Sequence, residues 1–139
     1  MKRFKYTNLA WFCALIAASL PLISYAVVFG ATDQLDRIFD ADEIDIQLSN
    51  SLWAATPFVM AALLSRRWSA ADRTSWPLLL GIMLTFGVWA WFTFEGWHYQ
   101  RALDASGGAN IGLGILLMAL PIATFAVVKT AESLFHRQV

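Results

Sequence analysis

Between Thr74 and Tyr99 the chain reads TSWPLLLGIMLTFGVWAWFTFEGWHY, and after Arg73 no charge appears until Glu95. An α-helix from Trp76 to Trp97 rises about 32 Å at about 1.5 Å per residue, close to the roughly 30 Å of hydrocarbon in a bilayer. Ser75 is placed to cap its first turn, and Pro77 stands where a missing N–H costs nothing. Trp76 and Trp97 bracket the stretch at the depth where amphipathic rings prefer to sit. A helix bathed in water would need a polar face, yet between Pro77 and Phe94 the sequence offers only Thr85 and Thr93. The stretch reads as a membrane span, and a chain of 139 residues could hardly bury it with three more like it.

Composition agrees. Hydrophobic residues make up 58% of the chain and charged residues 14%, against about 25% charged in a typical soluble domain. Net charge is zero, which gives no support to a nucleic-acid-binding surface. The single cysteine, Cys13, lies in an apolar run, so neither a disulfide framework nor a cysteine-based metal site is available within one chain.

Four spans are expected, at about residues 9–30, 46–65, 75–97 and 110–128. The first, LAWFCALIAASLPLISYAVVFG, has 22 residues and follows Lys2, Arg3 and Lys5. A cleaved secretory signal is the competing reading, with Ser24-Tyr25-Ala26 as the cut, but the run exceeds the usual signal core and stays apolar past that point. Ala10, Ala14 and Ala18, then Ala26 and Gly30, mark a small-residue seam against which another helix can pack closely. The second span is the least apolar, and requires Gln47, Ser49, Asn50 and Ser51 to sit at the interface or to face other helices. In the fourth, with Asn110 as its cap, Ala119 and Ala123 repeat the four-residue spacing of small side chains. Pro21, Pro57 and Pro121 fall inside spans, which predicts kinks and neighbours that satisfy the freed carbonyls. The expected architecture is therefore an all-α, polytopic bundle of four transmembrane helices, some of them proline-kinked.

The connections carry the charge. Residues 31–45 form an acidic loop, and over 31–50 six acids face Arg37 alone, a net charge of −5. Short amphipathic pieces at the membrane surface are expected there. Asp40-x-Asp42 suggests a calcium loop, but Ile44 occupies the place of the next oxygen ligand and the required glycine and glutamate are missing. Lys2, Arg3, Lys5, Arg66, Arg67, Arg73, Lys129 and Arg137 flank one side of the weave, and only Arg37 and Arg101 the other. Eight against two places both termini, including the tail 129–139, in the cytoplasm of a bacterial-type inner membrane.

One constellation could carry chemistry. On a continuous helix Glu95 and His98 share a face, with Arg101 about one turn on. Glu-x-x-His is also the spacing by which four-helix carboxylate proteins hold paired metals. A full site of that type needs a second motif and further membrane-level acids, which this sequence lacks, so no metal, cofactor or catalytic residue is assigned. The bland alternative is that Glu95, two residues from Trp97, reaches the headgroup layer and ends the helix. The sequence thus favours a non-enzymatic membrane protein that packs against copies of itself or a larger complex. A small oligomeric transporter or channel with Glu95 and His98 at its outer mouth is the alternative, and a membrane enzyme using the same pair the third reading.

Overall fold

The computed structural model describes residues 6–31, 33–67, 75–102 and 111–136. Four long helices account for almost all of them: α1 (Tyr6–Ala31), α2 (Ala41–Arg67), α3 (Trp76–Ala102) and α4 (Ile111–His136). Each contains a stretch long and apolar enough to cross a membrane. The fold is an all-α bundle, and it fits a small multi-pass membrane protein.

Neighbours in the bundle are not simply neighbours in sequence. α1 packs on α2 and α3, and α4 packs on α3 and α2, so the helices close a ring in the order α1, α2, α4, α3. Cross-helix contacts fix the directions. Thr7 meets Ser65 and Tyr25 meets Asn50, so α1 and α2 are antiparallel, whereas Ser24 meets Thr93 and Val28 stands against Gly96, so α1 and α3 run parallel. Thr85 meets Thr124 and Gly81 stands against Val128, so α3 and α4 are antiparallel. One end of the bundle thus carries the starts of α1 and α3, and the other carries the acidic segment.

The interior is small-sided. Ala10, Ala14 and Ala17 of α1 face Ala54, Ala55, Ala61 and Ala62 of α2, all buried, and around them sit Phe58, Leu78 and Val128. Without a hydrophobic drive between helices in lipid, close backbone approach of this kind supplies the van der Waals contact that holds the bundle. At Gly81 the approach leaves no room at all: a Cβ there would stand 2.7 Å from Val128 and 3.2 Å from Phe58. Large apolar side chains point the other way, with Leu15, Met83, Met118 and Ile122 each about 70% exposed. On a soluble monomer such a surface would be an aggregation liability; in lipid it is ordinary.

The alanine seam of α1 is used by the bundle only in part. Ala10 and Ala14 are buried against α2, but Ala26 and Gly30 are exposed. Pro21, Pro57 and Pro121 are buried, and each helix continues through its proline. The Trp53 indole donates to the Met118 carbonyl at 3.1 Å, beside the Leu117 carbonyl whose usual partner Pro121 lacks.

The helices run beyond the apolar segments. The second, expected from about 46, starts at Ala41, with the Ile44 N–H donating to the Asp40 carbonyl and Asp42 and Glu43 in the first turn, where carboxylates suit the helix dipole. The last third of what was expected as an acidic loop over 31–45 is therefore α-helix, preceded by a 3-10 turn at Leu35–Phe39 whose Leu35 and Phe39 are exposed. α3 continues past residue 97 to Ala102, and α4 past 128 to His136, so most of the expected tail is helical. α1 closes with the Gln34 N–H on the Phe29 carbonyl at 2.9 Å and Asp33 at φ 54°, a Schellman-type ending with an aspartate in the left-handed position. The Ser75 carbonyl accepts from Leu78 and Leu79 at the start of α3, as an N-cap residue does. The basic residues Lys2, Arg3, Lys5, Arg73 and Arg137, and the Asn110 cap, lie outside the described residues.

Candidate functional site

Buried polar side chains in a membrane bundle are costly unless partnered, so their positions are the places where the sequence has spent stability on something other than packing. They form three layers. At the end where the chain starts, the Tyr6 hydroxyl donates to the Glu132 carboxylate, which also takes Lys129 at 2.8 Å. Tyr6 is buried and Glu132 nearly so, and the contact ties the first turn of α1 to the last turns of α4. Beside it Thr7 lies 2.7 Å from Ser65, which donates to the Ala62 carbonyl. The Lys129 ammonium also stands 5.8 Å from the Phe125 ring centroid. Every polar group of this layer that has been named has a partner.

At mid-depth the layer is thin. Thr85 donates to the Gly81 carbonyl at 3.0 Å and stands 3.4 Å from Thr124, with both residues buried. Back-bonding of this type satisfies a hydroxyl within its own helix.

Toward the acidic end the third layer is larger and less complete. Thr93 lies 2.8 Å from Ser24, which points at the Trp89 carbonyl at 3.5 Å. Asn50 donates to the Tyr25 hydroxyl at 3.3 Å. The rings of Tyr25 and Phe92 lie 5.7 Å apart and those of Phe92 and Trp89 5.0 Å apart, so aromatic contact continues from α1 across α3. Within this depth Gln47 and Ser51 are buried on one face of α2, and Trp89 is buried on α3. Among the described residues, Gln47 Nε2, Ser51 Oγ and Trp89 Nε1 have no hydrogen-bond partner.

The pair singled out in the sequence sits further out. α3 is continuous through residues 95–98, which puts Glu95 and His98 one turn apart near its acidic end. Glu95 is half-buried and makes no hydrogen bond or ion pair among the described residues. His98 is exposed and packs edge-on against Phe94 and Trp97, with centroids at 4.4 and 5.1 Å. Arg101 falls on the last turn of α3, and its side chain lies outside the described residues. No three His, Cys, Asp or Glu side chains converge among the described residues in a way that could hold a metal ion.

Sequence reasoning singled out Gln47 and Ser51 only as groups that must avoid lipid, and it missed Trp89. Their spacing was the available signal: Glu43, Gln47, Ser51 and Ala55 repeat every four residues, a polar stripe leading into an alanine face. No known family model, characterised protein or solved structure matches the chain.

Proposed function

We propose that this chain is a non-enzymatic multi-pass protein of the inner (plasma) membrane, with both termini in the cytoplasm, that acts by packing its helices against copies of itself or a larger membrane complex. The eight-to-two bias of Lys and Arg between the two sides supports the orientation. The observation that carries the packing role is a contrast among glycines. A helical glycine costs roughly 1 kcal/mol relative to alanine, and Gly81 repays it through the close approach of α4 and Phe58. Gly87 on α3 and Gly114 on α4 receive no such return, since nothing stands within 4 Å of where their Cβ would be. Ala119 and Ala123 are exposed on α4 as well. The apolar stretches of α3 and α4 are only 28% buried, against 44% for α1 and α2, so this side has the most surface to offer.

The test is blue-native electrophoresis in mild detergent. A species larger than the monomer is expected, and Gly87→Leu and Gly114→Leu should dissolve it while leaving the bundle intact. A lone monomer for the parent chain would contradict the proposal.

A second reading, a small oligomeric transporter or channel, is favoured by the half-buried Glu95 at the acidic end, one turn from His98. Flux in proteoliposomes that Glu95→Gln and His98→Ala leave unaltered would remove their part in it.

A further inference from the structure

The incomplete layer near the acidic end differs from everything else in the bundle. Gln47, Ser51 and Trp89 are 5%, 7% and 3% exposed, and each ends in a polar atom without a partner among the described residues. An isolated orphan in a core is an energetic cost with no return. Three at one depth, on two helices, call for a common explanation.

That they share a depth follows from contacts already described. Asn50, between Gln47 and Ser51 in sequence, holds the Tyr25 hydroxyl, and the Tyr25 ring leads through Phe92 to Trp89. Ser24, next to Tyr25, points at the Trp89 carbonyl. The stripe also has a direction. Glu43 is half-buried one turn above Gln47, toward the acidic end, and below Ser51 the same face of α2 closes with Ala54, Ala55 and the fully buried Phe58.

We propose that this layer is a hydrogen-bonding site, entered from the acidic end along Glu43, Gln47 and Ser51 and closed below by Phe58, that takes an uncharged ligand presenting acceptor oxygen. The three orphans are an amide N–H, a hydroxyl and an indole N–H, so what they lack is an acceptor. The orphaned donors are all neutral groups, which suits an uncharged acceptor. Water has this chemistry, and so has a small amide or alcohol. The site stands independently of the packing role, since its residues face inward and the outward glycines take no part in it.

The experiment uses the full chain in lipid nanodiscs, with Cys13, the only native cysteine, replaced by alanine. Cysteines are introduced as Gln47→Cys, Ser51→Cys, Leu52→Cys and Phe58→Cys, and the probe is a positively charged methanethiosulfonate. Gln47→Cys and Ser51→Cys should react at least tenfold faster than Leu52→Cys, which faces lipid, and Phe58→Cys, which closes the site. Equal, slow rates at all four positions would overturn the proposal.

Because a cysteine variant can misfold, a second measurement leaves the site intact. In water-edited solid-state NMR of the parent chain, with the Trp89 indole assigned through Trp89→Phe, magnetisation from water should reach that N–H within a factor of two of the rate at the Trp76 and Trp97 indoles. Transfer tenfold slower, as for a dry alanine core, would contradict solvent entry. Titration with N-methylacetamide separates the two sources of oxygen: a saturable shift of the Trp89 resonance assigns an organic acceptor, and no shift together with fast water transfer assigns water.

Discussion

The two ends of the bundle interior are built differently. At the end that carries the start of α1, alanines from α1 and α2 interlock, and the buried Tyr6 and Ser65 and the partly buried Thr7 and Glu132 are bonded to one another or to backbone. At the acidic end rings replace alanines, and Gln47, Ser51 and Trp89 lead into the interior with donors left over. The first half is what a bilayer demands of a chain that must hold itself together by contact alone. The second is tolerable only where something polar completes it. Stability should therefore reside in one half and the capacity to bind in the other.

Variants measured by thermal or denaturant unfolding in lipid or mild detergent can break or sharpen that division. Gly81→Leu should have the largest effect, about 3 kcal/mol or outright failure to fold, because its side chain would drive into Val128, Phe58 and Thr124. A variant that unfolds like the parent would mean that the α3–α4 contact is looser than described. Tyr6→Phe should come next, at about 1.5 kcal/mol, since it removes a hydrogen bond to a carboxylate that ties α1 to α4.

The sharpest comparison pairs two serines on the same helix. Ser65→Ala deletes bonds to Thr7 and to the Ala62 carbonyl and should cost about 1 kcal/mol. Ser51→Ala deletes no bond among the described residues and should stay within about 0.5 kcal/mol of the parent. Equal losses at the two positions would erase the distinction between the halves. The smallest effect is expected at the turn that ends α1, where Asp33→Gly should raise stability by about 0.5 kcal/mol by relieving a left-handed backbone, φ 54°, that glycine adopts freely.

Much of this fold was legible in the residues themselves. Uncharged runs of span length, tryptophans at their ends and prolines within them gave four helices, because hydropathy over some twenty residues is a strong signal and lipid leaves few alternatives. Helix ends were less legible. Asp40 to Glu43 looked like solvated loop by charge, yet the same acids suit the first turn of α2, and Lys129 to His136 looked like tail although Glu132 is held by Tyr6, some 126 positions away in sequence. A tertiary contact over that separation has no local signature. The polar interior was half visible: Gln47 and Ser51 were marked as groups that had to sit at the interface or face other helices, but Trp89 was one tryptophan among seven until the fold buried it. The order of helices around the ring, with α1 beside α3 and α2 beside α4, was not legible at all, since the four apolar spans carry no marker of which neighbour each prefers.

All of this requires that the chain be threaded as four crossings. Single reporter fusions placed after residues 40, 70, 105 and 139 measure that most directly, pairing a periplasm-active with a cytoplasm-active reporter at each site. The account predicts that fusions after 40 and 105 report the periplasm and those after 70 and 139 the cytoplasm. The same compartment on both sides of any one helix would contradict it.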